Sequence, residues 1–356
     1  MAKTFIHQDS TIVDKYIYSQ FIPYKELSPL VPLLTKDLDK PLLNIYIDLY
    51  SMILPLYNFY NFVNPLSLTS CMVNAAIHYR NFFKKYGIYT NITLLYSPTM
   101  SSNNLKHCPE YNKTNIEKVS NNFEVNKLVH ENLVLLGIVV PYLPDIYFRM
   151  GTVETSIMGL DIMLNLSARN HNIRSLFVTS TPIAFQLPLM YDNVFVLMKK
   201  HNQDVMVIDK NNCLNRAVLY TKKQSIESEI DPKFLSSFYT LCGLRKRDVK
   251  SLLSYKGAFK IFKMMQDNAE MPYPDILSLY YIKYKEQQGS QEDVKSTVNT
   301  IHRRFQCFDF YQQLLLYRLL PESKETSYLL QLQDWEELLH INDKYFRDNP
   351  MQLDKL

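Results

Sequence analysis

Glycine is scarce in this 356-residue sequence: there are seven, beside 26 tyrosines and 19 phenylalanines. Loops that cradle phosphate with backbone amides need residues that tolerate positive φ or close backbone approach. Neither a GxGxxG turn nor a GxxxxGK(S/T) loop occurs, which argues against nucleotide-binding enzymes built on those turns. Cysteine offers no framework either, because Cys71, Cys108, Cys213, Cys242 and Cys307 show no CxxC spacing and no clustered histidines. Buried thiols are expected rather than disulfides or a structural zinc. The eight histidines are dispersed and there is no GxSxG elbow, so no hydrolase triad can be assembled from the sequence. Long hydrophobic runs are also missing. The run LVLLGIVVPYL, Leu133 to Leu143, falls short of the roughly 20 residues that span a bilayer, and MAKTFIHQDSTIVDKY has no apolar signal-peptide core. A soluble, intracellular protein without a membrane partner is the expectation.

What is present suffices for a sizeable core. Hydrophobic residues make up 47% and charged residues 21%, the balance of a globular chain with one large domain or two smaller ones. Lys plus Arg number 39 and Asp plus Glu 35, a net charge of +4, too small to establish nucleic-acid binding unless the charges cluster. Abundant Tyr, Asn, Ile and Lys beside so little Gly suggests an AT-rich coding genome. A phage or virus fits that bias, and with it a place in the host cytoplasm or the virion.

Along the chain, an α/β portion precedes a helical one. The apolar run Leu42 to Ile47 reads as a central strand ending at Asp48, and CMVNAAIHYRNFFKKYG has helical spacing up to Gly87. A second strand covers Asn91 to Pro98; after a polar stretch, a helix is expected from about Ile116 to Leu136, and GIVVPYL reads as a third strand. The helix TVETSIMGLDIMLNLSARNH follows, then a fourth strand in IRSLFVTS. DNVFVLMKK and QDVMVIDKN read as an edge hairpin, and from Asp231 the pattern is helical almost throughout. Strands alternating with helices predict a mainly parallel sheet covered on both faces.

That order of elements, with several degenerate motifs, resembles the flap endonuclease and 5′ to 3′ exonuclease superfamily. Its members have a PIN-like α/β core, a helical arch and a helix-three-turn-helix DNA-binding element. The resemblance divides the chain into an N-terminal extension (1–40), an α/β core (41–230) with an arch at about 99–130, and a helical region (231–356) with a helix-three-turn-helix at about 241–265.

Nucleases of this kind gather carboxylates at strand ends to hold divalent ions that activate water and stabilise the leaving oxygen. Asp48 in NIYIDLYS matches the first-strand Asp, and Glu154 in TVETSIM matches the Glu of a Glu-Ala-Asp-Asp motif whose two Asp positions fall on Ser156 and Ile157. The second-strand Asp falls on Ser97. TSTPIAFQL aligns without a gap with Ser-Gly-Asp-x-Asp-x-x-Gln-Leu, keeping Gln186 and Leu187 but placing Thr181 and Ile183 at the two Asp positions. In LCGLRKRDVKSLLSYKG, Gly243 stands where the family has Gly, but Leu244 and Arg247 take acidic positions, and Ser254 and Lys256 replace glycines that approach the duplex. The frame of a metal site is thus kept while most of its ligands are gone. The resemblance implies no catalytic residue, with Asp48 and Glu154 as remnants, and no cofactor; Mg²⁺ enters only if the chain is a divergent active nuclease. On their own terms, Asp48 reads as a cap for the turn after it and Glu154 as a first-turn helix acid. Asp161, two helical turns beyond Glu154, is about 10 Å away at ~1.5 Å rise per residue, and Asp248 reads as a partner of Arg247 or a surface charge.

For nucleic acid there remains the basic segment GLRKRDVKSLLSYKGAFKIFKMM. Arg245, Lys246, Arg247, Lys250, Lys256, Lys260 and Lys263 lie where the family contacts phosphates and are the candidate binding residues. Lys256, Lys260 and Lys263 equally form a solvated stripe opposite Phe259, Ile261 and Phe262. In the arch, Lys106, His107, Lys113 and Lys118 are candidates for single-strand contact and Tyr111 for stacking on a base. The aromatic C-terminal helices, with Trp335, suit contact with other proteins of a viral assembly. Three readings follow: a catalytically inactive nucleic-acid-binding or scaffolding subunit, a divergent Mg²⁺-dependent 5′ nuclease, and a protein-interaction module without nucleic acid.

Overall fold

A computed structural model describes residues 27–28, 30–36, 42–53, 65–97, 107–111, 113–114, 117, 121–151, 153–167, 173–199, 205–222, 230–289 and 294–319. In chain order its helices and strands are α1 (Leu30–Thr35), β1 (Leu42–Asp48), α2 (Leu49–Ile53), α3 (Pro65–Lys84), β2 (Tyr89–Tyr96), α4 (Phe123–Val139), β3 (Ile146–Met150), α5 (Thr155–Ser167), β4 (Ile173–Thr179), α6 (Leu187–Met190), β5 (Val194–Lys199) and β6 (Val205–Ile208). Helices α7 (Cys213–Lys222), α8 (Leu235–Cys242), α9 (Tyr255–Asp267), α10 (Pro274–Gln287), α11 (Val294–Phe308) and α12 (Phe310–Leu319) complete it. Most of the N-terminal extension, Lys106, Lys118 and the segment with Trp335 lie outside the described residues.

The strands form one six-stranded sheet in the order β3-β2-β1-β4-β5-β6. All pairings are parallel except β5 with β6, the expected edge hairpin. Alternation along the central strands sends Tyr46 and Phe177 into one hydrophobic cluster and Leu43, Ile45, Ile47, Leu176 and Val178 into the other. Both faces are therefore buried, which is why apolar residues occupy successive positions in β1 and β4 rather than alternating ones. The first cluster continues without interruption from the sheet into the helical region, through Phe238, Phe262 and Phe308. Among the described residues no helix is long and apolar enough to cross a membrane.

One expected strand is corrected. GIVVPYL is the end of α4 followed by a 3-10 turn at Val140–Tyr142, and the strand lies further on, in Ile146–Met150. Helix α4 is buried around most of its circumference, at Leu133, Val134, Leu135 and Leu136 in succession. Continuous burial erases the helical period that would have distinguished it from an interior strand, and Pro141 then ends it. The true strand is the sheet edge, with two of its five residues exposed and one buried, so its pattern is weak.

Candidate functional site

Parallel sheets place their ligand sites beyond the carboxyl ends of the strands, where the winding order reverses. Here that point lies between β1 and β4, since β2 and β3 run outward on one side and β5 and β6 on the other. Asp48 is the last residue of β1, Ser97 follows β2 directly, and Thr181 lies two residues beyond β4. Glu154 immediately precedes α5, and its backbone carbonyl accepts the first helical hydrogen bonds, from the amides of Ile157 and Met158. The approach of α5 depends on Gly159, whose added Cβ would stand 2.7 Å from the Phe177 ring. Asp48, Ser97, Glu154 and Thr181, the four residues expected to converge, line one cavity with Tyr50, Thr155, Ser156 and Arg247.

Arg247 dominates that cavity. It comes from the connection between α8 and α9, where Gly243 turns the chain at φ +65, Leu244 bridges Val249, and Asp248 takes a left-handed conformation. Its Nη2 donates to Thr181 Oγ1 at 2.9 Å and lies 3.8 Å from Glu154 Oε1. Its guanidinium sits 5.8 Å from the centre of the Tyr111 ring. Tyr111 in turn donates its hydroxyl to Glu154 Oε1 at 2.6 Å, and Thr179 Oγ1 donates to Asp48 Oδ2 at 2.7 Å. Burial works against the charge on Arg247, but Tyr111, Glu154, Tyr50 and Asp48 around it outweigh burial and raise its pKa. Burial, with the charge of Glu154 beside it, keeps the Tyr111 phenol protonated well above its ordinary range. The site is a fixed cation held against two carboxylates.

Divalent ions do not fit this arrangement. The room left in the cavity is about 20 Å³, the size of one water molecule. Among the described residues that line it, only Asp48 and Glu154 are carboxylates. The orphaned polar atoms, Glu154 Oε2 and Ser156 Oγ, amount to one carboxylate oxygen and one hydroxyl, whereas Mg²⁺ requires an octahedral shell of oxygens. A guanidinium beside Glu154 also repels a second cation. Among the described residues no group of three or more His, Cys, Asp or Glu is placed to hold a metal ion.

Two candidate contacts are corrected by burial. Arg247 is 8% exposed and committed to the cavity, so it does not belong with the surface cations. Tyr111 is fully buried, packed against Phe308 at 5.9 Å between ring centres, and cannot stack on a base without leaving the core. Asp248 is not the partner of Arg247 either: its carboxylate accepts from the Thr114 amide and hydroxyl at 2.7 and 2.9 Å. Glu154 at the helix start faces the cavity, and Asp161 pairs with Arg318 at 2.7 Å, away from it. Arg245, Lys250, Lys256, Lys260 and Lys263 are exposed. Lys113 is exposed and 3.9 Å from Glu117; the Lys246 side chain lies outside the description. Sequence reasoning missed Tyr111 as a partner of Glu154 and Thr179 as a partner of Asp48. Neither carries a distinguishing signal, one being a tyrosine among 26.

A mainly parallel sheet with this convergence at its carboxyl edge, continued by helices joined through tight turns, is similar in fold to solved 5′-exonuclease and flap endonuclease structures. Among solved structures, the zinc-bound 5′-exonuclease of bacteriophage T5 superposes with a TM-score of 0.52 at 11% identity, over 84% of this chain and 99% of its own. The T5 flap endonuclease in a pseudo-enzyme–product complex with DNA and metal ions gives 0.51 at 12% identity, over 85% and 99%. At such identity the likeness is one of fold. No protein-family model matches the chain, and no curated protein matches its sequence.

Proposed function

We propose that this protein is a flap-endonuclease-like subunit that binds nucleic acid without cleaving it, in a replication, transcription or packaging assembly of a phage or virus. The observation that carries this reading is Arg247, whose guanidinium stands against Glu154 and Thr181 in a cavity with no space for hydrated divalent ions. Binding falls to the exposed cations. Arg245 and Lys250 precede α9, and Lys256, Lys260 and Lys263 form one stripe along it, opposite the buried Phe259, Ile261 and Phe262. Such a stripe supplies a sequence-independent, salt-sensitive affinity for phosphate backbones. Solubility inside the infected cell and contacts with other assembly proteins belong to the same reading.

The test is incubation with 5′-flap and nicked duplex in Mg²⁺ or Mn²⁺, for which no cleavage is expected. Turnover that disappears in Asp48→Ala would establish a divergent nuclease instead. A protein-interaction role is favoured by Tyr311 and Leu315, 57% and 40% exposed on successive turns of α12. It becomes the leading reading if the wild-type protein binds no duplex at low salt.

A further inference from the structure

The segment around Tyr111 is tied down in more ways than packing requires. Beyond the bond from Tyr111 to Glu154, the Asp248 carboxylate takes both the amide and the hydroxyl of Thr114. Glu110 Oε1 accepts from Arg304 Nη2 at 3.0 Å, and Arg304 Nη1 donates to the Lys250 carbonyl at 2.7 Å. Cys108 and Tyr111 belong to the same hydrophobic cluster as Cys307 and Phe308 of α11. One short stretch is thus fastened to the start of α5, to the α8–α9 connection and to α11, with its tyrosine against Glu154 and the Arg247 guanidinium, two of the residues that line the cavity.

We propose that Cys108 to Tyr111, tied down together with Thr114, form a strap that seals the carboxyl end of the sheet, so that the protein binds continuous duplex DNA on its exposed cationic face and gains nothing from a single-stranded branch. This rests on the nucleic-acid-binding reading, and it specifies the ligand. A branch reaching the sheet edge would have to displace a fully buried tyrosine and break its bond to Glu154. The cations of α9 lie outside the strap and remain available to a duplex.

Two measurements decide it. Cys108 is buried, as are the other four thiols, so N-ethylmaleimide followed by peptide mass mapping reports strap opening without any nucleic acid. Cys108 is expected to be protected in the wild type. In Asp248→Gly, which removes the carboxylate and keeps the left-handed backbone accessible, Cys108 should react at least about tenfold faster through local opening. Glu110→Ala supplies an independent release should the first variant fold poorly. Rapid labelling of wild-type Cys108, or no acceleration in either variant, overturns the strap. Fluorescence anisotropy then compares a blunt duplex with the same duplex carrying a 5′ single-stranded arm. Dissociation constants within about twofold are expected, since backbone charge sets the affinity. An arm that tightens binding by roughly tenfold or more, the scale of one stacked base, overturns the sealed site while sparing the binding reading. Failure of both DNAs to bind a protein whose Cys108 is protected sinks the duplex ligand and the function proposed above, and leaves the closed strap established.

Discussion

Among single residues, Arg247 shows how a metal-site frame can persist with other contents. Two carboxylates at the end of a sheet need a positive partner once they leave water, and a guanidinium provides one with directed donors. Removing it strands Glu154, 7% exposed, beside an apolar replacement. Arg247→Met should therefore cost about 3 kcal/mol in denaturant unfolding, and Glu154→Gln in the same chain should restore most of it, because loss of both charges removes the penalty that loss of one creates. Equal destabilisation of single and double variants would mean that Arg247 matters only for its volume. Asp309 offers a second case. Burial raises its pKa above its ordinary value, and Ser236 Oγ lies 3.2 Å from it and 2.8 Å from Gln186 Oε1. An acid whose folded pKa is raised stabilises fully below its unfolded pKa, about 4, and loses that contribution as pH rises through the folded value. Asp309→Asn should be more stable than wild type at neutral pH, with the gap closing as pH falls toward that of an ordinary carboxylate. At this scale Asp48 and Glu154 were visible in the sequence because strand ends and helix starts constrain where an acid can sit. Tyr111 was not, since its role depends on a contact 43 residues away in the chain.

Among elements, the connection between α8 and α9 carries the most information per residue. Gly243 holds φ +65, and a Cβ there would stand 2.4 Å from the Val249 carbonyl oxygen and 2.6 Å from the Lys250 backbone. These atoms belong to the hairpin-like closure in which the Leu244 amide donates to Val249 and the Leu252 and Leu253 amides donate to Leu241. Gly243→Ala should cost upward of about 2 kcal/mol and should increase hydrogen exchange at Leu244 and Val249. A variant indistinguishable from wild type in unfolding would show that the turn yields cheaply. Gly243 was legible because it stood alone in an otherwise altered motif. The third strand was not, because an enclosed helix and an interior strand present the same unbroken hydrophobicity, and only the edge position of Ile146–Met150 explains its weak alternation.

For the molecule as a whole, charge is segregated: a cation buried with acids at the sheet edge, and a cationic stripe left in solvent on α9. A net charge of +4 hides this division, which is why composition alone could not decide on nucleic-acid binding. The stripe can be removed without touching the core, since Lys256, Lys260 and Lys263 are exposed and their apolar counterparts on the opposite face are buried. Replacing all three with Glu should leave the unfolding midpoint nearly unchanged: exposed substitutions contribute within about 0.5 kcal/mol each. An acid at Lys256, in the first turn, is favoured by the helix dipole, while one at Lys263, near the last turn, is disfavoured by a similar amount. Binding should respond quite differently. Three phosphate contacts on B-form DNA contribute a slope of about −2.7 in log K against log salt, at roughly 0.9 per contact, and the triple variant should lose that much slope along with most of its affinity. If the slope persists in the variant, the phosphates are held elsewhere, with Arg245 and Lys250 the next cations to neutralise. If affinity is unchanged as well, the stripe is simply the solvated face of an amphipathic helix.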